Sequence, residues 1–174
     1  MGFCFPPSGY SLPASGGGGG APTGPAGGDL SGTYPNPLVI FSSQTAIACE
    51  AISIGDLIVL DDTGTSGTPG QARLAQAIPT LGAAIGVAKT AAAIGNSVEV
   101  YILGLAPTNF AIAPVAGDNG RPVFLSGTAG LATLIPPTTT SGAVVTQIGY
   151  LVGADGVTTN PTILIRTSPP IAIR

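Results

Sequence analysis

Hydrophobic residues occur along this chain in short runs, each closed off by turn-forming residues. The runs are Ile52–Ile54, Leu57–Leu60, Val98–Leu103, Val123–Leu125, Val144–Leu151 and Thr162–Ile165. Val and Ile dominate them, and short β-branched runs between turn signals predict strands. The intervening segments Asp61–Gly70, Gly95–Asn96, Asp118–Gly120, Gly127–Gly130 and Gly153–Gly156 are rich in Gly, Asp and Asn and predict turns. Apolar residues alternate at Leu57/Val59, at Val98/Val100/Ile102 and at Ile163/Ile165, which puts each set on one face of its strand. The core expected from this pattern draws on Ile52, Ile54, Leu57, Val59, Ile85, Val87, Val98, Val100, Ile102, Val123, Leu125, Val145, Ile148, Leu151, Ile163 and Ile165. The one helical pattern is Lys89–Ile94, a short KTAAAI stretch ended by Gly95.

The pattern repeats. Gly55-Asp-Leu-Ile-Val-Leu returns as Gly120-Arg-Pro-Val-Phe-Leu, 65 residues on, and Ile85-Gly-Val-Ala returns as Ile148-Gly-Tyr-Leu, 63 residues on. Val98–Ile102 and Thr162–Arg166 match more loosely. The halves span about 52–104 and 118–166. Either half alone is too small to bury both faces of its sheet, so the two are expected to pack together. The sequence therefore predicts an all-β body over 38–174, a compact β-barrel or sandwich built from two related halves.

Residues 1–37 read differently. Pro6, Pro7, Pro13, Pro22, Pro25, Pro35 and Pro37 forbid a helix, and the run Gly16–Gly20 adds slack. This predicts an extended Gly/Pro-rich N-terminal arm laid on a neighbouring subunit. Phe3, Phe5, Tyr10 and Tyr34 are its candidate partner-binding anchors.

Composition sharpens the picture. Asp, Glu, Lys and Arg make up 7% of the chain, against roughly 25% in an average soluble domain. A lone monomer with so few charges is poorly soluble, whereas permanent interfaces remove the difficulty. An oligomer is expected. Net charge is −3, with only five Lys and Arg, and no basic cluster suited to nucleic acid. Cys4 and Cys49 allow one disulfide, but no dense cysteine framework is present, and two free thiols of a reducing compartment are the expectation. The N-terminus lacks the basic and apolar regions of a signal peptide. Gly2 opens a myristoylation-like pattern, but Pro6 stands where Ser or Thr is required. The most apolar stretch, Ala77–Ala88, is too short to span a bilayer. Synthesis in a cytoplasm, without membrane binding, is the expectation.

Chemistry is sparse. The chain has no histidine, which removes imidazole bases, Ser-His-Asp triads and most zinc sites. No phosphate-binding GxxxxGK[ST] is present. Asp61 and Asp62 open the loop DDTGTSGTPG. Asp favours such turns, and the alternative is a calcium ion held by both carboxylates and loop carbonyls, without EF-hand spacing. Asp118 belongs to an Asp-Asn-Gly turn, while Glu50 and Glu99 stand isolated. Arg73, Lys89, Arg121, Arg166 and Arg174 are dispersed, as expected of solvated or inter-subunit ion pairs. Tyr34, Tyr101 and Tyr150 read as half-buried strand residues. No catalytic residue, metal site or cofactor is expected.

The segment Gly27-Gly-Asp-Leu-Ser-Gly-Thr-Tyr-Pro-Asn-Pro resembles a GGDL[ST]GTYPNP motif of tailed-bacteriophage virion proteins, often tail fibres. Pro35 and Pro37 hold Tyr34 and Asn36 extended. The body is similar to small phage head-decoration domains, through GRPVFLSGTAG at Gly120–Gly130, PPTTTSGAVVTQIGYLVGAD at Pro136–Asp155 and AAIGVAKTAAAIGNSVEVYILG at Ala83–Gly104. The resemblance implies a β-barrel-like body, usually trimeric, bound to the capsid surface, with the major capsid protein as partner and no active site. Function as a decoration or cement protein is the first expectation. A tail-fibre or tail-adaptor component involved in host attachment is the alternative.

Overall fold

The structure, a computed structural model, describes residues 30–31, 38–39, 43–61, 68–138, 142–156 and 160–172. The chain divides into two units, Met1–Val39 and Ile40–Arg174. In the first, strands β1 (Leu30–Ser31) and β2 (Leu38–Val39) pair antiparallel, Leu30 opposite Val39 and Ser31 opposite Leu38. The candidate anchors Phe3, Phe5, Tyr10 and Tyr34, together with Cys4, lie outside the described residues.

The second unit is all-β. Its first sheet contains β3 (Ser43–Ile47), β4 (Leu57–Leu60), β5 (Ala72–Leu74), β6 (Gly86–Ala88) and β7 (Ser97–Tyr101), in the order β3-β7-β6-β4-β5. Its second sheet contains β8 (Gly104–Pro107), β9 (Pro122–Leu125), β10 (Ala132–Thr133), β12 (Gln147–Gly153) and β13 (Thr162–Ile165). Their order is β8-β13-β12-β9-β10, and every pair in both sheets is antiparallel. Strands β11 (Val144–Val145) and β14 (Ile171–Ala172) form a separate ladder. Among the described residues the only helical element is a 3-10 turn at Ala116–Asp118.

The two sheets share one plan. Read in chain order, the second to fifth strands of each occupy the same places, and the first strand caps the same edge. The register agrees residue by residue: Leu57 faces Val87 and Ile58 faces Gly86 in one sheet, and Pro122 faces Tyr150 and Val123 faces Gly149 in the other. Gly55 and Gly120 lead into these strands with φ of 88° and 87°, a conformation that glycine adopts without Cβ strain. Their N–H groups donate to Ala88 and Leu151, the matching carbonyls, at 2.9 and 2.7 Å. The Ile-Gly pairs of the repeat have a shared cause. A Cβ on Gly86 would lie 1.9 Å from the Tyr101 carbonyl oxygen, and one on Gly149 would lie 2.0 Å from that of Leu164. In each sheet a neighbouring backbone passes where a side chain would stand.

Packing divides the interior into two clusters. One lies within the first half and includes Ile52, Ile58, Ala72, Ala88, Val98 and Val100. The other holds Val123, Leu125, Ile148, Leu151, Ile163 and Ile165 of the second half, and Leu57, Val59, Leu81 and Val87 of the first half join it. Strand β4 is thus buried on both faces. Leu57 and Val59 do share a face, as their alternation predicts, but Ile58 between them is fully buried too. An uninterrupted apolar run is what such a strand requires.

Several expectations are corrected. Lys89–Ile94 is not a helix. Six residues cannot repay helix nucleation, and the segment instead bridges to Ile52, with Ile52 N–H donating to Ala92 at 2.9 Å and Ala92 N–H to Ile52 at 3.0 Å. Ile52–Ile54 is therefore a single bridge and not a strand. Ile54 is 52% exposed, because it lies past that bridge at the turn before β4. Ile85, Ile102 and Val145 are half-buried. The run Val144–Leu151 splits at Thr146, which is fully buried and donates its hydroxyl to the Gly82 carbonyl at 2.6 Å. Its two parts pair with different strands.

The close approaches at Gly86 and Gly149 set a testable requirement. Gly86→Ala and Gly149→Ala are each expected to lower unfolding free energy by about 3 kcal/mol or more, since the opposing atom is backbone and cannot step aside. Gly117→Ala meets nothing within 4 Å and is expected to change it by less than about 0.5 kcal/mol. Urea denaturation of the three variants checks this.

Candidate interaction surface

Among the described residues, most charged side chains have partners inside the chain. Glu50 reaches β5, where its Oε1 accepts the Leu74 N–H at 2.8 Å and lies 3.5 Å from Arg73 Nε. Lys89 Nζ is 2.7 Å from Glu99 and 5.8 Å from the Tyr101 ring centroid. Arg121 Nη1 is 2.7 Å from Asp118 Oδ1. Glu50 and Glu99 are accordingly not isolated, and three of the expected solvated or inter-subunit cations have partners in their own chain. Sequence separation concealed the first two pairs, because pairing of strands or loops brings them together. The Glu99 carboxylate, as hydrogen-bond acceptor and as charge, raises the Lys89 pKa above its ordinary value. The Val115 N–H and then Arg121 hold Asp118 below the usual carboxylate range. All these pairs are partly exposed, where ion pairing contributes little. Arg166 is exposed, and Arg174 lies outside the described residues.

No group of three or more His, Cys, Asp or Glu able to hold a metal ion occurs among the described residues. Asp61 is buried, its N–H donates to Gln71 at 2.8 Å, and its carbonyl accepts Gly70 N–H at 2.7 Å. That is the turn closure its sequence predicts; Asp62 lies outside the described residues. Cys49 is a buried free thiol that donates to the Ala72 carbonyl at 3.3 Å. Burial, followed by the nearby Glu50 charge, raises its pKa. Among the described residues, no helix is long and apolar enough to cross a membrane.

Asn109, two residues after β8 of the second sheet, and Asp56, directly before β4 of the first, form a polar joint. Asn109 Nδ2 donates to Asp56 Oδ1 and to the Ile54 carbonyl, both at 2.9 Å, while the Asn109 N–H donates to Gly55 at 2.9 Å. Asp56 Oδ2 accepts the Ser53 N–H at 2.8 Å. The sequence offered no signal for Asn109, whose partners stand 53 to 55 positions away.

The feature that reaches outward is apolar. Across the second sheet, Leu105 pairs with Leu164, Leu164 with Tyr150, and Tyr150 with Pro122. These four cross-strand neighbours form one row on the face opposite Ile163 and Ile165. Leu105 is 60% exposed, Leu164 41% and Tyr150 38%, and Pro122 is also exposed. Tyr150 is thus more open than its expected half-buried state, while Tyr101 is half-buried as expected. The signal was present in the sequence: β13 reads Thr-Ile-Leu-Ile, apolar at successive positions, so both its faces carry hydrophobic residues. A separate shallow cleft is lined by Ile112, Pro114, Asp118, Arg121, Leu134 and Ile135.

Two outcomes follow. Asn109→Ala leaves the Asp56 carboxylate short of a donor and is expected to cost about 1–3 kcal/mol of stability, measured by urea denaturation. In a Cys4→Ser background, Cys49 is expected to react with a thiol reagent only as fast as the protein unfolds. Its raised pKa also means that stability, fully present below the ordinary thiol pKa, falls as pH rises from that value through the folded one. Cys49→Ala is expected to flatten the alkaline fall.

Compared with known proteins, the chain matches no family model, no curated protein and no solved structure.

Proposed function

We propose that this chain is a structural protein of a tailed-phage virion: a decoration or cement protein that binds the outer head surface, contacts the major capsid protein and stabilises contacts between capsomers. The observation that carries the reading, as the surface of a subunit built to pack against other subunits, is the apolar row Leu105–Leu164–Tyr150–Pro122, presented on a nearly uncharged all-β body. An exposed, contiguous apolar surface of this kind marks contact with other protein. The GGDLSGTYPNP segment supports a virion setting by resemblance. On this reading the chain is no enzyme and needs no cofactor, it functions as a homotrimer, and it is made in the host cytoplasm before joining the particle. Residues 1–37 act as the cementing arm, with Phe3, Phe5, Tyr10 and Tyr34 as anchors. Extended arms suit that task because free backbone groups can add to a sheet edge and prolines reduce the entropy lost on binding.

A second reading, a tail-fibre or tail-adaptor component, is favoured by the same GGDLSGTYPNP segment, since that string recurs in tail fibres. Copy number per particle separates the two. Quantitative mass spectrometry of purified virions is expected to count hundreds of copies; a few dozen or fewer assigns the chain to the tail. Deletion of residues 1–20 tests the arm. The truncated protein is expected to fold and self-associate but to dissociate from capsids, and the particles are expected to rupture at lower temperature. Capsid affinity equal to that of the full chain would refute the cementing role.

A further inference from the structure

The row Leu105–Leu164–Tyr150–Pro122 has a counterpart inside the protein. The equivalent positions of the first sheet are Ser43, Tyr101, Val87 and Leu57, joined across their strands in the same sequence of pairs. There the row is covered over its two central strands, while Ser43 at the sheet edge is half-buried. Leu57 and Val87 are fully buried, and Tyr101 packs against the same cluster, to which the second half contributes Val123, Leu125, Ile148, Leu151, Ile163 and Ile165. The two halves thus use corresponding faces unequally. In one, the outer face is covered by the sibling half. In the other, an outer face of the same strand plan, still carrying two leucines and a tyrosine, has no covering element among the described residues.

We infer that this outer face of the second sheet is where a second copy of the chain docks. The occupant is argued from three observations. The same face of the related sheet is covered by a related β half, so a surface of this protein's own kind fits that chemistry. The row itself carries no charge; beside it stand Arg166, two residues beyond Leu164, and Arg121, already paired with Asp118, so an ionic partner has little to recognise. Val152, 46% exposed on β12, widens the apolar area beyond the single row, and the Tyr150 ring with its hydroxyl is a side chain enriched at such contacts. The inference rests on the self-association in the proposed function and not on the virion setting.

The test measures the mass of purified full-length protein at micromolar concentration by light scattering, with circular dichroism as the fold check. Wild type is expected at a multiple of the chain mass. Leu164→Glu, which places a charge in the middle of the row, is expected at the mass of one chain with an unchanged spectrum. Leu105→Ser, a milder change at the sheet edge, is expected to shift dissociation to at least about tenfold higher concentration, equivalent to 1.4 kcal/mol. Ile112→Glu, in the separate cleft, is expected to leave the mass unchanged. Should both row variants lose their fold, hydroxyl-radical footprinting of the wild type decides: Tyr150 is expected to be protected at high concentration and oxidised on dilution. A single-chain mass for wild type, folded row variants that associate like wild type, dissociation by Ile112→Glu alone, or a Tyr150 equally oxidised at all concentrations would overturn the inference. A low copy number in virions would sink the cement reading and leave this measurement untouched.

Discussion

Strand β4 is the joint on which the body depends. Leu57 and Val59 enter the cluster of the second half while Ile58 enters that of the first. Full burial of each such side chain is worth about 1.5–3 kcal/mol, and here the burial on one face requires the presence of the other half. The Leu57 backbone adds to this, donating to the Gly130 carbonyl at 2.7 Å and accepting from Ala75 at 2.8 Å, while Gly130 N–H also donates to Ala75 at 2.8 Å. Apolar contact and backbone hydrogen bonds therefore converge on one four-residue strand. A polar residue at Ile58 would leave the first half without its inner packing, and one at Leu57 would separate the halves.

The duplication explains why two similar sheets acquire different surroundings. Shared features lie in the backbone: the left-handed glycines before β4 and β9, the strand order, and the approach of β7 to Gly86 and of β13 to Gly149. These are steric requirements of the sheet itself and hold in both copies. Side-chain burial follows neighbours instead. Leu57 and Val87 are covered, whereas their counterparts Pro122 and Tyr150 face outward. A repeat of two has an unmatched face, and in this chain that face has stayed apolar. Among the described residues six charges are paired with one another, as Arg73–Glu50, Lys89–Glu99 and Arg121–Asp118, and the row on that face carries none.

The local and periodic part of the structure is legible in the amino-acid order. Leu57–Leu60 and Thr162–Ile165 are strands with the boundaries their β-branched runs indicate, and the paired Gly55/Gly120 and Ile-Gly motifs mark real correspondences, because turn geometry and strand sterics act over a few residues. Tertiary structure alone decided three things. It made Lys89–Ile94 a bridge instead of a helix, since Ile52 offers the hydrogen bonds that an isolated short helix would lack. It buried both faces of β4 but only one of β9, since that depends on which half lies opposite. It brought Asn109 to Asp56 and Glu50 to Arg73, since no spacing along the chain records contacts made by folding distant segments together.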